Sequence, residues 1–129
     1  FPTFSPADRI GFNATAFEDV TEGDALYMRT SDGQVGKASA ANGSVENATV
    51  IGFANTTVTA NGTVKVIIAG TLSTISGLDA GDLYFLSATT PGAITPTPPS
   101  GAGKAITRVG EAATANKFAT HIEPPVKLS

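Results

Sequence analysis

The feature that most constrains this chain is a phrase that occurs twice. TEGDALYMRTSDGQV, Thr21 to Val35, returns as DAGDLYFLSATTPGAI, Asp79 to Ile94. Each copy opens with Gly-Asp (Gly23-Asp24, then Gly81-Asp82) and continues into a short apolar run. A turn follows at Asp32-Gly33 or Pro91-Gly92, and a β-branched residue, Val35 or Ile94, restarts the chain. The echo extends further, with Ala48–Ala54 answered by Ala105–Ala112 at an offset of about 58 residues, the step from Gly23 to Gly81. A short apolar run closed by Asp-Gly or Pro-Gly is a hairpin signal. The sequence therefore predicts one half-plan used twice, a repeat of architecture and not of chemistry.

The rest of the chain reads in the same terms. Ile10 to Phe17 alternates roughly, Val35 to Ala38 returns from the first turn, and Thr49 to Ala54 forms a buried strand. Val58 to Val64 places β-branched residues on both sides of Asn61-Gly62, which predicts a compact hairpin. Val64 to Thr71 is the most apolar stretch and is expected to cross the core. Leu72 to Leu78 has room for one helical or 3₁₀ turn, Asn42-Gly43 marks a turn, and Pro96 to Gly101 reads as a surface loop. No segment of ten or more residues carries a 3.6-residue period. The expected class is all-β, a compact sandwich or barrel of short antiparallel strands built from two similar halves, with an extended N-terminal arm. The expected division is an arm over 1–9, a single β-domain over 10–123 with a pseudo-repeat at 21–70 and 79–123, and a C-terminal tail over 124–129.

Glycine at Gly23, Gly33, Gly81 and Gly92 suits turns that require positive φ. Asp24 and Asp82 are expected to fix their turns by bonding nearby backbone N–H groups. In the arm, Pro2 and Pro6 exclude a helix, and Phe1 and Phe4 read as anchors, docked either on a neighbour or on the domain itself. Residue 1 is Phe and not Met, which points to a cut chain or to numbering that begins inside a longer product, and no signal-peptide pattern stands at this end.

Composition closes off several chemistries. At 129 residues the chain has one domain's length, and a net charge of −3 gives no electrostatic case for nucleic acid or an anionic membrane. With no cysteine there are no disulfides, no thiolate catalysis and no Cys-ligated zinc. The one histidine, His121, has no partner histidine or cysteine nearby in sequence. No Gly-x-Ser-x-Gly elbow is present, and Gly101-Ala102-Gly103-Lys104 lacks the spacing of a phosphate loop. Glu18, Asp19, Glu22 and Asp24 cluster without the spacing of a calcium loop and read as a solvated acidic turn. Neither a cofactor nor a metal is expected, and no enzyme is indicated. Five of the six asparagines, Asn13, Asn42, Asn47, Asn55 and Asn61, begin Asn-x-Ser/Thr. Glycosylation would explain this, but turn chemistry in a Thr-rich chain is the preferred account.

Set side by side, Ile51-Gly52, Gly70, Gly77-Leu78-x-Ala80-Gly81-Asp82-x-Tyr84 and Val109-Gly110 make a phrase that resembles virion proteins of tailed bacteriophages. The resemblance covers roughly Val20 to Glu123 and is nearest to the small capsid decoration, or cement, proteins, including those of cyanophage heads. It implies a non-enzymatic part that binds the outer surface of the capsid, bridges neighbouring major capsid proteins, and often sits as a homotrimer. The arm of Phe1, Pro2, Phe4 and Pro6 suits the partner contacts that such a role requires, and Pro124 and Pro125 of the tail are candidates for the same. Similar modules occur in phage tail fibres, which makes a receptor-binding β-module the alternative, although such modules normally belong to longer chains. A glycosylated surface protein is the third reading, signalled by the Asn-x-Ser/Thr sites.

Overall fold

The computed structural model of the chain describes residues 9–41, 45–73 and 75–128. The elements run β1 (Arg9–Thr15), β2 (Ala25–Met28), β3 (Val35–Lys37), α1 (Val45–Ala48), β4 (Gly52–Ala54), β5 (Thr63–Leu72) and β6 (Leu83–Leu86). They continue as β7 (Ile94–Thr95), β8 (Ala105–Ile106), β9 (Arg108–Thr114), β10 (Lys117–Thr120) and β11 (Val126–Lys127). The protein is all-β, with most of its antiparallel strands in one sheet that curls into a half-barrel and with β8 and β11 paired in a separate two-stranded sheet. The two copies of the repeat are two wings of this sheet, not two facing sheets.

Strand order carries the duplication. The sheet runs β3-β2-β4-β5-β10-β9-β6-β7, with β1 lying along β5. Read outward from the junction of β5 and β10, both sides give an inner strand (β5 or β10), a middle strand (β4 or β9) and then the hairpin. Register repeats as well. Ala25 pairs with Phe53 and Leu26 with Gly52, while Leu83 pairs with Glu111 and Tyr84 with Gly110, every partner displaced by the same offset. The turns entering the hairpins match: Gly23 N–H donates to Ala54 O at 2.8 Å, and Gly81 N–H to Ala112 O at 2.7 Å, with φ of 94° and 87°.

Gly52 and Gly110 show why the Ile-Gly and Val-Gly steps recur. A Cβ on Gly52 would meet the carbonyl of Ile67 on β5, and one on Gly110 would meet the carbonyl of Ala119 on β10. In both copies the middle strand lies too close to its inner neighbour, β5 or β10, for any side chain at that position.

The two wings share register but not environment. Ala25, Tyr27, Phe53 and Ile67 point into the large core, where Phe118 stacks edge-on against Phe53 at 5.5 Å and against Tyr84 at 6.0 Å. On the reverse of the same strands, Leu26, Val35, Ala54, Val64 and Val66 form a second, smaller core closed by Ala16 and Val20. The first wing is therefore buried on both faces, and β2 and β4 show no alternation. In the second wing Tyr84, Leu86 and Ala112, register partners of Leu26, Met28 and Ala54, face the large core. Leu83 and Glu111, partners of buried Ala25 and Phe53, face solvent.

The exchange of faces originates in β5. Val64, Val66 and Leu72 have the same parity, yet the first two enter the small core and Leu72 the large one. A bulge shifts the β1–β5 register where Ile10 pairs with Ala69 and Gly11 with Ile67, leaving Ile68 as the extra residue. One inserted residue turns every later side chain to the opposite face.

Several expectations are corrected here. Val58 to Val64 is not a compact hairpin: Val58 bridges to Val20, and Asn61 N–H and Gly62 O bond the backbone of Ala16. The arc around Asn61 serves as a lid on the small core, and Asn61 holds the left-handed turn conformation at φ 72°. The described residues of Leu72 to Leu78 hold no helical turn; the helical turn is α1 instead. The segment set aside as a tail is held by the domain. Val126 pairs with Ile106 and Lys127 with Ala105, and Leu128 N–H donates to Lys104 O at 2.8 Å.

Candidate functional site

The duplicated Gly-Asp turns are the first place to look for a site, and they turn out to be structural. Asp24 Oδ2 accepts from Thr21 N–H at 2.9 Å, as expected of a turn-fixing aspartate. The second copy departs from this. The residue equivalent to Thr21 is Asp79, and its N–H donates to the Tyr84 hydroxyl at 2.8 Å. The Tyr84 hydroxyl takes the place of an Asp82 carboxylate on that N–H, while the Asp82 N–H closes the turn on Asp79 O at 3.1 Å as Asp24 N–H does on Thr21 O at 3.0 Å.

Gly92, expected as a simple turn glycine, has a further task. Gly33 in the first copy sits at φ 72° with nothing near its missing Cβ. Gly92 sits at φ 81°, and a Cβ there would meet the Asp24 carboxyl and the Lys37 stem. Its O accepts from Ala25 N–H at 2.8 Å and its N–H donates to Ala38 O at 2.7 Å. Ala40 N–H donates to Ser87 O at 3.1 Å close by. These bonds fasten the second hairpin to the first, so the curl of the sheet is held at Gly92.

A cleft of about 420 Å³ opens beside this seam, lined among others by Glu22, Asp24, Asp79, Tyr84 and Pro96. Burial pushes the Asp24 carboxyl above its usual range; the Thr21 N–H and Lys37 oppose this, and Glu18 adds to it. At the tip of the first hairpin the opposite holds. The N–H of Gln34 and the guanidinium of Arg29 hold the Asp32 carboxyl below its usual value. Arg29 also lies over the Phe17 ring at 3.9 Å.

The acidic cluster disperses on folding. Glu18 Oε2 accepts from Lys37 N–H at 2.9 Å, and Asp19 Oδ1 from Ala60 N–H at 2.8 Å. With Asp24 on Thr21, three of the four carboxylates are engaged on backbone donors of different segments. Among the described residues no group of three His, Cys, Asp or Glu side chains converges on a point. His121 is exposed, and its N–H is part of the sheet, donating to Val109 O at 2.9 Å. Buried polar side chains also do structural work: Thr107 Oγ1 donates to Ala48 O at 2.6 Å, tying α1 to the second wing. Thr120 Oγ1 and Arg108 Nε are buried atoms with no partner among the described residues.

Gly101 to Lys104 is clasped to the C-terminal strand, with Gly103 N–H donating to Leu128 O at 3.2 Å. Of the Asn-x-Ser/Thr sites, Asn13 and Asn61 are exposed, and Asn47 and Asn55 are half-buried with partners. Asn61 fits the turn account; Asn13 lies within strand β1 and does not. Asn42 falls outside the described residues, as do Phe1, Pro2, Phe4 and Pro6. Pro124 is exposed and Pro125 half-buried, joining β10 to the paired β11.

What sequence reasoning missed is the outer surface of β1. Ile10 is 56% exposed, Phe12 38% and the neighbouring Ile68 40%. Three of the largest exposed apolar side chains thus stand together on one strand pair. The alternation of Ile10, Phe12 and Ala14 gave the signal, but it reads equally well as a half-buried strand. No helix among the described residues is long and apolar enough to cross a membrane. Comparison with known proteins finds no matching family model and no matching curated protein.

Proposed function

We propose that this chain is a non-enzymatic structural protein of a tailed-phage virion that binds the outer surface of the capsid and cements neighbouring major capsid proteins, as a homotrimer. The observation that supports the reading most is where the repeated motifs go. Gly23-Asp24, Gly81-Asp82, Gly52, Gly110 and Gly92 all serve the sheet, its turns and its seam. The phrase that resembles decoration proteins is therefore scaffold, and a cement protein needs a stable scaffold more than a pocket.

On this reading the arm of Phe1, Pro2, Phe4 and Pro6 supplies contacts with the shell, entering the domain at Arg9. An extended segment with aromatic anchors suits strand addition and pocket filling. Pro124 and Pro125 contribute as a fixed surface, since β11 beyond them is paired within the chain. Binding the expanded shell better than its precursor would stabilise the expanded state by mass action, and three-fold contacts would combine through effective concentration.

The test is co-sedimentation of the purified protein with expanded and unexpanded shells. Saturable binding to expanded shells alone, lost on deleting residues 1–6 with the far-UV circular dichroism unchanged, is the expected result. Equal binding to both shells, or none, removes the reading and brings the tail-fibre module forward.

A further inference from the structure

The small core is ringed by five strands. β1 pairs with β5, β5 with β4, β4 with β2 and β2 with β3, and a parallel bridge between Ala16 and Val35 joins β3 to the end of β1. One end of this ring is lidded. Val20 and Val58 bridge there, and the Asn61 N–H and Gly62 O bond the backbone of Ala16.

Register locates the other end. Gly11 and Phe53 both pair with Ile67, and Arg9 pairs with Gly70, so Arg9 and Ile10 lie toward the same end as Ile51. Leu26 pairs with Gly52, which brings Met28 to that end as well. No lid stands here among the described residues. Ile10 is 56% exposed, Phe12 38% and Ile68 40%. A groove of about 350 Å³ opens among Met28, Arg29, Glu46, Thr49 and Ile51. Met28 and Ile51 pack on the small core, so the groove leads onto it. Its two charged side chains are engaged elsewhere: Glu46 Oε1 accepts from Thr30 N–H at 2.6 Å, and Arg29 is held by Asp32. The rest of the wall suits an apolar occupant.

We propose that in the free protein this end is closed by the chain's own N-terminal arm, with Phe4 seated in the groove between Met28 and Ile51. Position is the first argument. The described chain begins at Arg9, on this end, and eight residues precede it. Length is the second. Phe4 stands five residues before Arg9, a reach of about 17 Å when extended. From β1 to β2 is three strand spacings, about 14 Å around the ring and less across it. Chemistry is the third. Pro2 and Pro6 favour the extended form that such a crossing needs, and the arm has one charged side chain, Asp8 beside Arg9. A cavity of about 150 Å³ already admits benzene, so the groove has room for a phenyl ring. The crossing also covers Ile10 and Phe12. The inference goes beyond the capsid reading, since the docking is a property of the protein alone; engaging the shell then requires the arm to leave the groove.

The test reads the chain's one methionine, Met28, whose methyl group gives a single resonance in a carbon-13 methyl-labelled sample. The full-length protein should show a nuclear Overhauser contact between the Phe4 ring and the Met28 methyl. Phe4→Ala should abolish that contact, shift the Met28 resonance and lower the thermal midpoint by a few degrees, with the far-UV circular dichroism unchanged. Phe1→Ala should leave the Met28 resonance in place. Labelled protein lacking residues 1–6 is then mixed with unlabelled full-length protein, and Met28 should stay at its shifted position. Its return to the parent position would give the groove to the arm of a neighbouring copy and overturn the assignment. So would a Met28 resonance that Phe4→Ala leaves unmoved, or one that only Phe1→Ala moves. Shell binding is read in none of these measurements, so this inference and the capsid reading fail separately.

Discussion

The two wings of the sheet have one register and opposite fates. In the first, Phe53 is fully buried between the strands and Phe118. In the second, its register partner is Glu111, exposed to water. The backbone plan was kept while the faces were exchanged, and the single extra residue at Ile68 is what allowed it. Duplication therefore explains strand order, turns and close backbone approaches. It does not explain the core, because burial is set by which way the sheet curls after the bulge.

This comparison is sharpest at the paired positions themselves. Phe53→Ala is expected to cost about 3–5 kcal/mol of stability by opening a cavity beside Phe118. Glu111→Ala should fall within about 0.5 kcal/mol of the parent. Urea denaturation of both variants measures the difference. Similar costs at the two sites would mean that the outer face of the second wing is covered as well.

A second contrast lies in the hairpin turns. Ala at Gly33 meets only the strain of a left-handed residue, about 1 kcal/mol. Ala at Gly92 adds crowding against Asp24 and Lys37 at the seam and should cost about 2 kcal/mol. The same denaturation curves decide it. If Gly33 proves the more sensitive site, the seam is not what holds the curl.

The smallest effects are expected in pH dependence, where the two aspartates of the first hairpin act in opposite directions. Asp24 is raised by burial, so between the usual 3.8 and its folded value the native state binds more protons than the unfolded one. Stability from this group is present below 3.8 and is lost as pH rises through the folded value. Asp32 is lowered by the Gln34 N–H and Arg29, so its contribution is present above 3.8 and is lost as pH falls through its folded value. Thermal midpoints followed across pH should lose their decline above 3.8 in Asp24→Asn and their decline below it in Asp32→Asn. A shared direction for the two variants would contradict the account of the seam.

Much of this fold was legible. The Gly-Asp-apolar phrase located both hairpins, and the apolar stretch after Val64 located β5. The parts that were not legible had physical reasons. Helix α1 is a single turn, too short to show a period. Asn61-Gly62 carries the signature of a tight hairpin, but tertiary bonds to Ala16 and Val20 pull that segment into an arc. Tyr84 replacing Asp82 at the second turn depends on a hydroxyl reaching across the loop to Asp79, which local spacing does not reveal. Pro124-Pro125 ended one strand, but β11 beyond them depends on where β8 lies in space. The exposed apolar strand β1 was visible as alternation, and its outward side became visible only once β5 had claimed the other.

Copy number in the particle tests the central functional claim most directly. Quantitative mass spectrometry of purified virions, referenced to the major capsid protein, should find this chain at a simple ratio to the shell subunit. A handful of copies per particle would contradict capsid cementing and place the chain in the tail.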